Sequence, residues 1–184
     1  MSVNYSTQNE LLLQNLLEFY KNDNNMDKML NIINGKSDIS LRIIDWFATN
    51  YAKQKYTVYQ IPNSEKRFKV YNDYKLKLKA YSKRRFDPFC RWDRITIPYK
   101  GTSAIQTTIG QLNFFKWALD NHVIDYIEHN FKNIENDMNS RNSTSKNKKS
   151  DLLTNKTRKK REELSVSASR SIKKEKVEII LKFD

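Results

Sequence analysis

The chain contains few of the residues on which several classes of protein depend: one cysteine, three glycines, three prolines and two histidines among 184 residues. The single cysteine, Cys90, excludes an internal disulfide and a cysteine-rich zinc site, which is typical of a reducing intracellular compartment. Three glycines provide no phosphate-cradling loop, and neither a GxSxG nor an HExxH pattern is present. We therefore expect no enzymatic activity and no cofactor.

Long apolar runs are also missing. The segment MSVNYSTQNE has neither the basic nor the apolar region of a signal peptide, and no run approaches the roughly 20 apolar residues of a membrane span. We expect a soluble, intracellular protein without a membrane partner. The length suits one domain with a sizeable core.

Acidic residues are outnumbered by basic residues, 21 to 34, and the excess is unevenly distributed. Residues 66–101 contain 12 basic and 3 acidic residues, and residues 139–184 contain 14 and 6, whereas the remaining segments are slightly acidic. Clustered basic charge is typical of nucleic-acid binders, although anionic membranes and acidic proteins attract the same charge. Nucleic acid, of a type left open, is the leading partner.

Apolar and basic residues alternate in residues 74–91, YKLKLKAYSKRRFDPFCR, before an Asp-Pro turn. A period of two predicts a β-strand with one buried face and a row of lysines on the other. Same-face side chains lie about 6.7 Å apart, so this row would follow a phosphate backbone. Alternatively, the lysines form a solvated edge that discourages aggregation. The residues predicted to contact phosphate are Lys75, Lys77, Lys79, Lys83, Arg84, Arg85, Arg91 and Arg94.

Aromatic residues are interleaved with these charges, and they either stack on unpaired bases or pack in the core. The rigid Asp-Pro turn favours burial of Phe86 and Phe89 and leaves Tyr81 and Trp92 open to both uses. Cys90 is expected to be a small core residue rather than a reactive thiol, since no partner base is visible.

One constellation has metal-ligand spacing. His122, Asp125 and His129 are separated by three and four residues, which would place them on one helical face. Because no further ligand is evident, we favour a solvated helix face and expect no metal.

Residues 1–54 are predicted to form three helices, the second of which stops at Asn34–Gly35. The candidate capping residues are Ser6 or Thr7, Asp23 or Asn24, and Ser37 or Asp38.

Residues 55–138 are predicted to complete the same domain. YTVYQI and residues 68–81 form a hairpin, unless Asn72–Asp73 splits the second strand, and RITIPY at 94–99 forms a third strand. Apolar residues at helical spacing follow from Thr107 to Met138, with an interruption at Asp120–Asn121.

The C-terminal quarter changes in composition. Residues 139–172 are rich in Ser, Asn, Lys and Arg, and such a segment buries too little to offset its ordering entropy, which predicts a disordered basic linker. In residues 173–184 the string KVEIILKF alternates and predicts a last strand, with a frayed terminus as the alternative. A basic cluster in the linker resembles a nuclear-import signal or serves as a nonspecific nucleic-acid arm: Lys156, Arg158, Lys159, Lys160 and Arg161. The fold class predicted is α+β, with helices packed on a small, mainly antiparallel sheet.

The strings YKLKLKAYSKRRFDPFCR and TTIGQLNFFKWALDNHVIDYIEHN resemble the iridovirus immediate-early infected-cell protein family, shared among large nucleocytoplasmic DNA viruses. The likeness covers about residues 56–136. It implies an early protein of infected cells, located in the host nucleus, the cytoplasmic virus factory or the virion, with other viral proteins among its partners. It implies no catalytic or binding residue.

The function expected is therefore viral nucleic-acid binding, mostly through the phosphate backbone, in early gene regulation or genome packaging. The alternative is a non-enzymatic module that docks an acidic partner in a viral transcription or assembly complex through the same basic face.

Overall fold

The structure, a computed structural model, describes residues 8–62, 65, 67–92, 94–100, 103–150 and 173–176; for Asp23, 143–150 and 173–176 it describes the backbone alone. Within these ranges the chain forms seven α-helices, one π-helical turn and five strands. None of the helices described is long and apolar enough to cross a membrane.

The described part of the first third of the chain, from residue 8, is mainly helical, as predicted. It consists of α1 (Gln8–Tyr20), α2 (Asp23–Ile33) and α3 (Leu41–Trp46). Helix α3 continues through a π-helical turn (Phe47–Tyr51) into the short α4 (Ala52–Gln54).

The capping residues differ from those predicted. The side chain of Asn22 caps α2 by accepting a 3.1 Å hydrogen bond from Asn24 N, and that of Ser40 caps α3 by accepting one of 3.3 Å from Ile43 N. Several capping residue types follow one another at both places, so the tertiary position of each helix selects among them. Gly35 ends α2 with a φ of +70°, a left-handed conformation that glycine adopts without strain. The predicted cap of α1 lies outside the described residues.

The predicted hairpin is present but short. Strands β1 (Val58–Gln60) and β2 (Arg67–Lys69) pair antiparallel, with Tyr59 opposite Phe68. The second strand ends at Lys69 and does not continue to Tyr81 as expected.

The predicted lysine strand is instead helix α5 (Val70–Phe86), which also excludes a strand split at Asn72–Asp73. Buried Val70 and Tyr74 and half-buried Tyr81 recur at helical intervals and form its inner face. The alternation in the sequence covers only one short stretch, and Leu, Lys and Ala are good helix formers, so packing of this inner face decides the outcome.

A second sheet follows the turn after α5. Strand β3 (Arg94–Tyr99) confirms the third predicted strand and pairs antiparallel with β4 (Ser103–Thr108), which was not predicted. Buried Ile97 lies opposite buried Ile105 in this register. On the other side of β4, the backbone of β5 (Lys173–Lys176) pairs antiparallel. The predicted C-terminal strand rests on residues 177–183, which lie outside the described residues, and stays a prediction.

Two helices complete the domain. Helix α6 (Ile109–Asp120) is buried along most of its length, and α7 (Val123–Ser150) follows a turn at Asn121–His122, next to the predicted interruption. The linker predicted to begin at residue 139 was wrong for residues 139–150, which extend α7. Adding residues to an existing helix is easier than starting one, which explains how this polar segment remains helical. Residues 151–172 lie outside the described part of the chain.

An aromatic cluster holds α5 against α6. The rings of Phe86, Phe114 and Trp117 lie 5.7 to 5.9 Å apart between centroids. Gly110 permits this packing, because a Cβ at that position would lie 2.9 Å from the carbonyl oxygen of Asp87. The α+β fold class is thus confirmed, with the helices accompanied by two small antiparallel sheets.

Candidate nucleic-acid interface

The outer face of α5 is basic. Lys75, Leu76 and Lys79 are exposed, and the two lysines lie one turn apart, about 6 Å along the axis. Lys77 projects about 200° from Lys75 around the helix and is half-buried. The structure therefore brings two of the three predicted strand lysines together and separates the third from them.

The last turn of α5 has a different direction. Ser82 interrupts the helix with φ 63° and ψ 168°, a strained conformation for a residue other than glycine. Beyond this kink Lys83 and Arg84 are exposed, whereas Arg85 is half-buried and its carbonyl oxygen accepts a 2.9 Å hydrogen bond from Asn113 Nδ2. The kink therefore separates two basic groups that the sequence places in one run.

An open depression of about 670 Å³ lies beside this last turn. The turn that follows α5 is fixed by Asp87, whose Oδ1 accepts a 2.9 Å hydrogen bond from Phe89 N. The walls of the depression combine cationic, aromatic and thiol groups with one carboxylate: Lys83, Arg84, Asp87, Phe89, Cys90, Arg91 and Trp92. Trp92 is 71% exposed. This arrangement is the strongest concentration of predicted site residues in the described structure.

The other aromatic residues of this segment serve packing. Phe86 is fully buried, as predicted, and Tyr81 lies over it with nearly parallel rings 6.1 Å apart between centroids. Phe89, which was also predicted to be buried, is only half-buried and lines the depression. Of the two residues that the sequence left open, Tyr81 is therefore part of the core margin and Trp92 is available to solvent. Cys90, expected in the core, is half-buried and lines the depression.

Most of the predicted cations have no acidic partner in the part of the chain that the structure describes. Lys75, Lys79, Lys83 and Arg91 make no ion pair with the carboxylates there. Arg94 donates a 3.2 Å hydrogen bond from Nη1 to Gln106 Oε1 across β3 and β4, apart from the other cations. The surface thus carries cations that are not held in ion pairs with described carboxylates.

A second depression, of about 420 Å³, lies at the start of α5 and was not predicted. Tyr56, on the turn between α4 and β1, has a φ of +50° and is 85% exposed. Lys53 Nζ lies 5.6 Å from the centroid of the Tyr71 ring. The sequence signal for this depression was the pair of lysines that precede Tyr56, at positions 53 and 55, but the interpretation of this segment as the start of a strand concealed it. Its lining includes Lys53, Tyr56, Lys69, Tyr71 and Asn72.

Carboxylates near α5 are directed elsewhere. Burial, together with the negative charge of Asp87, raises the pKa of Asp45 on α3 to about 6. Asp73, in the first turn of α5, accepts a 2.7 Å hydrogen bond at Oδ1 from Trp117 Nε1. Neither carboxylate forms an ion pair with the lysines of the outer face.

Of the histidine constellation, Asp125 and His129 lie on α7, whereas His122 precedes it. His122 lies in the turn before α7, with a φ of +53°, and its Nδ1 donates a 2.6 Å hydrogen bond to Asp125 Oδ2. His129 Nδ1 instead donates to the backbone oxygen of Asp125, at 2.6 Å. Within the described residues no three His, Cys, Asp or Glu side chains are grouped to hold a metal ion. The basic cluster at Lys156, Arg158, Lys159, Lys160 and Arg161 lies outside those residues.

Comparison with known proteins gives a family but no activity. Residues 2–184 match a family described as a family of unknown function, DUF7197. The chain is 48% identical over 127 residues to "Uncharacterized protein L507" of Acanthamoeba polyphaga mimivirus, an alignment that covers 65% of this chain and 48% of the relative. The chain therefore spans about half the length of this curated relative. No solved structure matches the chain. The mimivirus relative supports the expectation of a viral protein, and the chain belongs to the family of unknown function DUF7197.

Proposed function

We propose that the protein binds nucleic acid through phosphate contacts along α5 and the loop that follows it. The observation that supports this most is the set of exposed cations, Lys75, Lys79, Lys83 and Arg91, with no carboxylate partner among the described residues. Clustered charges of one sign produce a potential that attracts a polyanion, and the two basic groups follow one another along α5 and the loop after it. The proposal includes no catalytic step.

Contacts of this kind fix position but read no sequence. Each phosphate neutralised releases counterions, so affinity should fall steeply with salt concentration. The tail cluster Lys156, Arg158, Lys159, Lys160 and Arg161 would add a nonspecific arm or direct import into the nucleus. Binding of this type suits early gene regulation or genome packaging by a virus. We also propose the narrower relationship to the iridovirus immediate-early family, which implies expression early in infection. The time at which the transcript appears after infection tests that implication.

A protein partner is the second candidate function. Leu76 is 66% exposed in the middle of the basic face. An acidic protein whose interface has an apolar residue at its centre would cover Leu76 and pair with the surrounding lysines. Viral transcription and assembly complexes are the setting in which such a partner is expected. Nucleic acid is favoured because Lys75 and Lys79, on either side of Leu76, form no ion pair with the carboxylates that the structure describes.

The test is a fluorescence-anisotropy titration of labelled DNA and RNA with the full chain at several salt concentrations. The variant Lys75→Gln/Lys79→Gln/Lys83→Gln should bind at least about tenfold more weakly. Its salt slope, the slope of log affinity against log salt concentration, should be smaller in magnitude by about 2 to 3, because each phosphate contact contributes about 0.7 to 0.9 to that slope. Lys28→Gln/Lys36→Gln/Lys132→Gln is the matched control, since it removes the same charge from exposed lysines outside α5.

Equal weakening of both variants would show that net charge alone drives binding. Absence of binding by the unmodified chain would contradict the proposal and favour the acidic protein partner. A further arm with the tail cations changed to Gln separates the contribution of the tail from that of α5.

A further inference from the structure

We propose that the ligand of this surface is single-stranded nucleic acid, with bases stacked on Tyr56 and Trp92 and phosphates held by the lysines of α5 between them. This inference rests on the proposed function and names the class of nucleic acid. It concerns two depressions at opposite ends of one helix.

The two aromatic side chains are unusual in their exposure. Tyr56 is 85% exposed and Trp92 is 71% exposed, whereas large rings in folded domains normally pack. Each ring lines a depression that also contains cationic side chains, Lys53 and Lys69 around Tyr56 and Lys83 and Arg91 around Trp92. A flat ring beside a cation in an open concave surface is the arrangement by which single-strand binders hold a base and its phosphate together.

The backbone keeps Tyr56 on the surface. Its φ of +50° is in the left-handed region, which costs energy for a residue with a side chain. The turn is closed by a 3.1 Å hydrogen bond from Thr57 N to the carbonyl oxygen of Ala52, and the Thr57 side chain is buried. The residue after Tyr56 is thus anchored, and the phenol ring is left in solvent at the edge of the depression.

Helix α5 joins the two depressions. Asn72 lines the first and Lys83, just beyond the kink at Ser82, lines the second. At a rise of about 1.5 Å per residue, the part of α5 from Asn72 to Tyr81 spans about 14 Å. Lys75 and Lys79 are the exposed cations between the ends, so phosphates would lie over the helix while the terminal bases reach the rings.

Unpaired bases are what distinguishes this ligand from a duplex. In a duplex the faces of the bases are covered by their neighbours, so neither Tyr56 nor Trp92 can stack on them without unwinding the helix. Stacking is also tolerant of sequence because every base has an aromatic face. We therefore expect a preference for single strands over duplexes and little preference among sequences.

The experiment measures anisotropy of the full chain with single-stranded DNA, single-stranded RNA and duplex DNA of about 12 nucleotides, a length within the range of single-strand sites. Tyr56→Ala and Trp92→Ala should each weaken single-strand binding about tenfold and leave duplex binding unchanged. Tyr56→Phe and Trp92→Phe, which keep a flat ring, should restore most of the affinity. Leu11→Ala, at an exposed apolar residue on α1, is the control.

A second readout is tryptophan fluorescence. Trp46 and Trp117 donate hydrogen bonds to Asp137 and Asp73, so Trp92 is the exposed indole among the described residues. Stacking on a base should quench the fluorescence of Trp92, and Trp92→Phe should abolish this quenching. Circular dichroism of the variant checks that it remains folded.

The outcomes separate the two proposals. Duplex binding as tight as single-strand binding, with no effect of the alanine variants, would overturn the single-strand inference and leave the proposed function intact. Absence of binding to any nucleic acid would overturn both. A higher affinity for RNA than for DNA would add a contribution of the 2′-hydroxyl to the same site.

Discussion

Trp117 donates a 2.7 Å hydrogen bond from Nε1 to Oδ1 of Asp73, which joins the buried face of α6 to the first turn of α5. Asp73 is the only acidic residue in the sequence of α5. Because its carboxylate is directed inward to the indole, it leaves the lysines on the outer face without a partner on their own helix. The same bond therefore fixes the position of α5 and preserves its positive charge.

Replacement of Trp117 by Phe should destabilise the protein by about 2 kcal/mol, since it leaves the half-buried Asp73 carboxylate without its donor. Asp73→Asn keeps an acceptor oxygen and should cost less. Urea unfolding monitored by circular dichroism measures both. Trp92→Phe, at an exposed indole, is the control and should change stability by less than about 0.5 kcal/mol. A Trp117→Phe variant as stable as this control would show that the bond contributes nothing.

Gly110→Ala should destabilise the protein by about 2 kcal/mol, because the new Cβ would overlap backbone atoms that cannot rotate away. It would lie 2.9 Å from the Asp87 carbonyl oxygen and 3.1 Å from that of Arg84. Gly35→Ala is the comparison: nothing lies within 4 Å of its Cβ, and the left-handed backbone alone should cost about 1 kcal/mol.

Thermal unfolding of both glycine variants tests the close approach of α5 and α6. If Gly110→Ala proves less harmful than Gly35→Ala, the two helices are farther apart than described. A folded Gly110→Ala variant should also bind nucleic acid more weakly, because Arg84 and the loop carrying Arg91 would be displaced.

Asp45 should make stability depend on pH between about 4 and 6. Its pKa is raised to about 6 in the folded protein, against an ordinary value near 3.9 in the unfolded chain. Between these values the unfolded chain is ionised while the folded protein keeps its proton, so stability is greatest below about pH 4 and falls as pH rises toward 6. The loss is of the order of 2 to 3 kcal/mol, at about 1.4 kcal/mol per pKa unit.

Asp45→Asn removes this ionisation, so its stability relative to the unmodified protein should increase as the pH rises from 4 to 6 and then stay constant. Asp38→Asn, which changes an exposed carboxylate, is the control. A constant difference between the Asp45 variant and the unmodified protein across this range would contradict the raised pKa.

Local signals predicted much of the architecture. Helices α1 to α3, the strand at 94–99 and the Asp-Pro turn were readable because the periodic apolar residues and turn residues that specify them lie within a few positions of one another. Helix α5 was not, because a short alternation fits a strand and a helix equally well. The choice between them depends on aromatic partners on α6, such as Phe114 and Trp117, which are distant in sequence.

The candidate site divides in the same way. That Lys83 and Arg84 would meet Arg91 followed from the turn between them. Whether Tyr56 and Trp92 are exposed depends on which of the aromatic residues pack in the core of the folded protein. Amino-acid composition does not indicate which ones do.

The helical placement of the lysines has a consequence that the strand interpretation does not share. On a strand, Lys75, Lys77 and Lys79 would lie on one face and contribute alike; on α5, Lys77 lies about 200° from Lys75 and is half-buried. Single Lys75→Gln and Lys79→Gln substitutions should each weaken binding about threefold to fivefold and lower the salt slope by about 0.7 to 0.9, whereas Lys77→Gln should leave both nearly unchanged. Anisotropy titration at three salt concentrations measures this. A nucleic-acid strand lying along one side of α5 cannot contact the opposite side at the same time. Equal losses of affinity at all three positions would therefore mean that binding depends only on the total charge of the protein.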